Sequence, residues 1–160
     1  MHFRFPPVAG PRIVPAMPLA EKQLQLLATL RTLKDPQERL AWLLEQARAR
    51  PLLPAELRTE AALVPGCLAR LWFVPELREG RCYFQSESDS LIVKAVAWLL
   101  CEFYSGQLPE EILAQEEDFL RAAGITEHLT PNRRNGLGRV VALTREFAQR
   151  QAEASPTATA

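Results

Sequence analysis

The chain has 160 residues, of which 48% are hydrophobic, and its 19 basic side chains balance its 19 acidic ones. A chain of this length buries roughly 70% of its extended surface on folding, so one domain with a substantial core needs no disulfide staples. A formal net charge of zero gives no overall attraction to DNA, RNA or anionic lipid, so nucleic-acid partners are not expected. The most apolar stretch, Leu91 to Cys101, is interrupted by Lys94 and falls short of the ~20 residues that span a bilayer, so membrane insertion is not expected either.

The three cysteines of the chain are Cys67, Cys82 and Cys101. Their number is odd and their spacing is wide, which matches neither a disulfide framework nor the paired ligands of a zinc site. We therefore expect free thiols, no bound metal and a reducing, cytoplasmic setting.

Proline content divides the chain into three parts. Residues 1–18 contain five of the 13 prolines and are predicted to form a flexible leader. Residues 19–151 carry the helical and strand patterns and form the predicted domain. Residues 152–160 are predicted to be a flexible tail.

In chain order, leucines at helical spacing predict a first helix over residues 19–34. Asp35 as a cap and Pro36 in the first turn begin a second helix, which ends before Pro51. Residues 51–66 are predicted to be irregular, with one short turn near residues 56–60.

The pattern then changes to short aromatic and β-branched runs at residues 71–74 and 81–85, which predict an antiparallel hairpin. Four helices follow, over residues 90–104, from Pro109 to about residue 113, over residues 118–123, and from Pro131 to about residue 151. The predicted fold class is α+β, with a small antiparallel sheet packed against several helices.

Few residues suggest chemistry in isolation. Cys82 lies on a predicted strand and Cys101 on a predicted apolar helix, so both are expected to be small core residues. Cys67 follows Gly66 in a loop just before a strand, where a thiol can be presented to a partner. Local context alone leaves open whether Cys67 is reactive or an ordinary loop residue.

Four blocks of sequence resemble the SufE/CsdE sulfur-acceptor family, and they occur in the family's order. Val64–Trp72 is similar to its cysteine loop and first strand, and Ser88–Ala95 to its Ser-Asp-Ala-x-Ile-Val-Lys-Gly stretch. Tyr104–Ile112 and His128–Leu137 follow. The resemblance covers roughly residues 20–150 and implies a SufE/IscU-like fold. The family's glycine after the lysine is alanine here, and the proline-rich leader has no recognised counterpart.

The resemblance implies a sulfur carrier rather than an enzyme. Such proteins accept persulfide sulfur from a cysteine desulfurase, of SufS or CsdA type, stimulate it, and pass the sulfur to an iron–sulfur scaffold of SufB type. Pyridoxal phosphate belongs to the desulfurase, so no cofactor is expected on this chain. The sequence leaves homodimerisation and the particular desulfurase open.

The same resemblance assigns roles to three residues. Cys67 would be the persulfide acceptor. Arg133 would stabilise the thiolate or persulfide, although an ordinary surface arginine also fits. Asp89 would position the cysteine loop or dock the partner, although a simple helix cap also fits. Residues expected to line an apolar shelter for the thiol are Leu68, Leu71, Trp72 and Phe84.

Three other functions remain alternatives. The three cysteines could ligate an iron–sulfur cluster, as in IscU-type scaffolds of similar fold. Cys67 could be the nucleophile of an enzyme with His128 as its base. The domain could also be a binding module in which the thiol plays no part.

Overall fold

The computed structural model describes residues 17–116 and 118–154, which form six α-helices and a two-stranded antiparallel sheet. The expected α+β class is confirmed. The elements, in chain order, are α1 (Leu19–Arg31), α2 (Pro36–Arg48), β1 (Leu71–Arg78), β2 (Arg81–Ser88), α3 (Leu91–Tyr104), α4 (Pro109–Ala114), α5 (Phe119–Ala122) and α6 (Pro131–Ala154). Single 3-10 turns lie at Ala55–Leu57, Glu60–Ala62 and Thr126–His128.

Helix α3 is the centre of the core because it is apolar on nearly every side. Nine of its 14 residues are buried. One face packs on strand β2, and others pack against α2 and α6. Its first turn is capped by Ser90, whose hydroxyl accepts a hydrogen bond from the Val93 amide at 3.5 Å. In the part of the chain that the structure describes, no helix is both long and apolar enough to cross a membrane.

The hairpin is longer than the sequence pattern indicated. Strand β1 continues past Val74 through Pro75 to Arg78, and the register pairs Leu71 with Ser88 and Arg78 with Arg81. Proline is tolerated because each strand of a two-stranded sheet has a free edge where no amide donor is needed. The turn consists of Glu79 and Gly80, both at positive φ (51° and 79°), as the tightest hairpin turns require.

The helix boundaries follow the predicted signals closely. Asp35 accepts a hydrogen bond from the Gln37 amide at 3.0 Å, as a cap should. Helix α6 continues to Ala154, three residues past its expected end. Residues 1–16 of the predicted leader and residues 155–160 of the predicted tail lie outside the described residues.

A buried ion pair fixes the irregular segment that leads to the cysteine loop. Lys94 Nζ on α3 lies 3.2 Å from Glu87 Oε1 at the end of β2, and the Glu87 side chain is only 5% exposed. Glu87 also accepts hydrogen bonds from the amides of Leu53 and Ser88, each at 3.1 Å. One carboxylate therefore holds a strand, a helix and the segment after α2 together.

Candidate functional site

The loop that carries Cys67 is anchored by hydrogen bonds at both ends. On one side, the Val64 amide donates to the Leu71 carbonyl at 2.8 Å. On the other, the Arg70 amide donates to Asp89 Oδ1 at 3.0 Å, and the Asp89 amide donates back to the Arg70 carbonyl at 3.2 Å. The Ser88 hydroxyl also donates to that carbonyl, at 2.7 Å. These hydrogen bonds therefore fix both ends of the loop to the hairpin and to the start of α3.

Asp89 is thus placed where it can hold the cysteine loop. Its side chain pairs with the loop's backbone, whereas the α3 cap is provided by its neighbour Ser90. Of the two sequence-based interpretations of Asp89, this geometry favours loop positioning over a simple helix cap.

Cys67 is half-buried at the middle of this loop and packs on the edge of the hydrophobic core. Its thiol lies against Gly136 on helix α6, so closely that a methyl group at Gly136 would be 2.7 Å from Cys67 Sγ. Its neighbour Leu68 is 83% exposed, so the expectation that Leu68 shelters the thiol is wrong. The Leu68 side chain is turned to solvent, whereas Cys67 packs on the core.

The other two cysteines belong to the core, as expected. Cys82 is fully buried on β2, and burial, with a smaller contribution from Glu110, raises the pKa of its thiol to about 11. Burial raises the pKa of the Cys101 thiol to about 12, partly opposed by a hydrogen bond with Ser86. Neither is a thiolate at neutral pH, which leaves Cys67 as the accessible thiol of the three.

Arg133 lies in the first turn of α6, three residues before Gly136, and is half-buried. Residues three apart on a helix share a face, so Arg133 lies on the side of α6 that meets the cysteine loop. Its amide donates to the Thr130 hydroxyl at 3.3 Å, which caps the helix end. Arg133 therefore lies about one turn from Gly136, on the same side of α6.

The geometry gives little support to the alternative chemistries. His128 is exposed on a 3-10 turn, and none of the hydrogen bonds among the described residues joins it to Cys67. Within residues 17–116 and 118–154, no three histidine, cysteine or acidic side chains converge so as to hold a metal ion.

A cavity of about 540 Å³ lies elsewhere, between α3, α5 and α6. Along α6 it is lined by Arg134, Leu137, Gly138, Val141 and Arg145. Successive helix residues are turned by about 100°, so Gly138 points nearly opposite to Gly136. The cavity and the thiol are therefore on different faces of α6.

Gly136 is the site residue that sequence reasoning missed. The available signal was that glycine is unfavourable within a helix and so indicates close packing.

Fold and site together define a small α+β domain that carries one half-buried cysteine on an anchored loop. Residues 24–148 match the family model described as SufE, Fe–S metabolism associated domain. The chain belongs to the SufE family, as the resemblance indicated.

Individual relatives agree with this assignment. A SufE-like protein of Synechocystis is 32% identical over 102 residues, which cover 64% of each chain. The cysteine desulfuration protein SufE of Plasmodium vivax is 32% identical over 106 residues, covering 64% of this chain and 42% of that one. The chain thus spans less than two thirds of either relative.

The fold is also shared with a solved structure. The solution structure of a hypothetical protein from Thermus thermophilus superimposes with a TM-score of 0.69 at 26% identity. The match covers 83% of this chain and 97% of that one.

Proposed function

We propose that this protein is a sulfur acceptor and carrier for a cysteine desulfurase in iron–sulfur metabolism. The observation that carries the proposal is the position of Cys67. It is the only thiol of the three that lies on an accessible loop, and that loop is attached to the domain at defined ends. The chain also belongs to a family whose model is described as an Fe–S metabolism associated domain, and this membership supports the same role.

The proposed step is an exchange between sulfur atoms. The Cys67 thiolate attacks the terminal sulfur of a persulfide on the desulfurase. The bond between that sulfur and the desulfurase cysteine breaks, the bond to Cys67 forms, and the desulfurase cysteine leaves as a thiolate. The sulfane sulfur keeps its oxidation level, so the step needs no external oxidant or reductant. A second exchange would pass the sulfur to an acceptor thiol on a SufB-type scaffold.

In this proposal the protein is not an enzyme in its own right, but it stimulates the desulfurase by removing its product. Arg133 stabilises the anionic sulfur of Cys67, since a cation near a thiol favours its charged form. Asp89 keeps the loop anchored during exchange. The pyridoxal phosphate stays on the partner, which is of SufS or CsdA type, and the reaction takes place in the cytoplasm.

Transfer can be tested directly by incubating the protein with desulfurase and cysteine and then mapping the modified residue by mass spectrometry. We expect about 32 Da to be added at Cys67 and not at Cys82 or Cys101, because the latter two are buried. In parallel, Cys67→Ser should lose the stimulation of sulfide release, and Cys101→Ala should keep it. Sulfur loading on Cys82 or Cys101, or full stimulation by Cys67→Ser, would refute the proposal.

A further inference from the structure

Two glycines lie close together in helix α6, and they have opposite surroundings. Gly136 is buried, whereas Gly138 is exposed and a methyl group there would meet no atom within 4 Å. Glycine is among the least favourable residues inside a helix, so a buried one usually marks a close approach by another group. At Gly136 that group is Cys67.

The contact is too close for any other residue in the same arrangement. A methyl group at Gly136 would lie 2.7 Å from Cys67 Sγ, 3.3 Å from its Cβ and 3.8 Å from its Cα. Non-bonded heavy atoms normally stay about 3.5–4.0 Å apart. The whole side chain of Cys67 therefore rests in a notch that exists because Gly136 has no side chain. We call this contact the glycine notch.

We propose that Gly136 is a positioning residue, which holds the Cys67 loop in a docked state with the thiol lodged in the glycine notch. A side chain at this position pushes the thiol out and shifts the loop toward a released state in which Cys67 faces solvent. The inference concerns the same thiol as the proposed function and takes its biological meaning from it. The docking itself is a property of this chain alone.

The way the loop is anchored makes such a release physically reasonable. Its hydrogen bonds to the hairpin and to Asp89 are at residues 64 and 70, so they can persist while the middle of the loop moves. Gly66 has a φ of +81°, and a methyl group there would meet no atom within 4 Å. Close packing therefore does not hold the backbone at this residue, beside the thiol. The notch can thus position the sulfur while the ends of the loop stay anchored.

The test uses alkylation by iodoacetamide, without any desulfurase, followed by peptide mass spectrometry that gives a separate rate for each cysteine. In Gly136→Ala we expect Cys67 to react about tenfold faster than in the wild type, which corresponds to about 1.4 kcal/mol of lost docking. The rates at Cys82 and Cys101 should not change, because release of the loop leaves the core intact. Gly138→Ala is the matched control in the same helix and should behave as wild type.

The internal cysteines separate docking from general damage to the fold. Equal acceleration at Cys67, Cys82 and Cys101 would mean that Gly136 only supports stability, and an unchanged or slower Cys67 would mean that the notch does not hold the thiol. Either result overturns the inference. Neither result would affect sulfur loading at Cys67, so the proposed function could still hold.

A second measurement covers the case in which Gly136→Ala folds poorly. Adding Cys67→Ala removes the sulfur that the new methyl group would strike, so the double variant should regain melting temperature relative to Gly136→Ala. The same Cys67→Ala change in the Gly138→Ala background should bring no comparable gain. If the double variant regains nothing, the contact is not the cause and the inference is wrong.

Discussion

Lys22 offers a sharp test of the packing of α1, because its ammonium group is buried where it cannot be well hydrated. The residue is only 3% exposed, and its Nζ donates to the Ser105 carbonyl at the end of α3 at 2.8 Å. Burial lowers the pKa of Lys22 from 10.5 to about 8, against an opposing attraction from Glu102.

The sign of the resulting pH dependence follows from proton counting. Between pH 8 and 10.5 the unfolded chain keeps the proton on Lys22 and the folded chain releases it, so stability rises with pH in this range. The full shift corresponds to about 3 kcal/mol, since each pKa unit is worth a little over 1 kcal/mol. From pH 7 to pH 9.5, Lys22 should add about 2 kcal/mol to the free energy of unfolding.

The experiment compares urea unfolding of the wild type and Lys22→Met across this pH range. The raised pKa values of Cys82, Cys101 and Tyr104 make stability fall at high pH, but they act in both proteins and cancel in the difference. The wild type should therefore gain about 2 kcal/mol relative to Lys22→Met. Lys34→Met, which removes an exposed lysine after α1, is the control and should run parallel to the wild type. A difference that stays flat with pH for Lys22→Met would refute the burial argument.

Two further changes probe the base of the cysteine loop. Asp89→Ala removes the acceptor of the Arg70 amide and should cost about 1 kcal/mol in urea unfolding while speeding alkylation of Cys67. Asp89→Asn keeps an acceptor oxygen and should stay close to wild type in both measurements. Glu87→Gln leaves the mostly buried Lys94 without its counter-charge and should cost about 3 kcal/mol, and most of that loss should be recovered when Lys94→Met is added. Equal losses in the single and double variants would show that the ion pair itself is unimportant.

Local signals in the sequence were sufficient for most of the elements, because each has its own punctuation. Asp35, Ser90 and Asp118 all cap helices where the sequence suggested a start. The burial of Cys82 and Cys101 followed from strand alternation and helix composition in the same way. The hairpin was harder, since Pro75 reads as a strand end and only the paired register shows that β1 continues.

The contacts that define the site were not accessible to the same reasoning, because they join residues far apart in sequence. The glycine notch brings Gly136 to Cys67, and the Glu87 carboxylate binds the Leu53 amide 34 residues away. Nothing local to either partner specifies the other. The exposure of Leu68 was missed for a related reason: its apolar character predicted burial, but its direction is set by how the loop docks on α6.

Two kinds of contact hold the Cys67 loop, and the difference between them suggests how a carrier of this kind can both protect and release its cargo. The ends of the loop are held by directional hydrogen bonds, which a modest rotation of the intervening residues need not break. The sulfur itself is held by close packing on Gly136 and on the edge of the core, and packing of this kind is sensitive to the volume of the group being held.

A persulfide adds a second sulfur atom to a thiol that already occupies the space left by the missing side chain of Gly136. A loaded Cys67 should therefore fit the glycine notch less well than the free thiol does, so the loop should favour the released state after it has accepted sulfur. Limited proteolysis at the loop reports on the released state, and loaded protein should be cut faster than unloaded protein. Equal cleavage rates would mean that the notch accommodates the second sulfur, and that loading does not drive release.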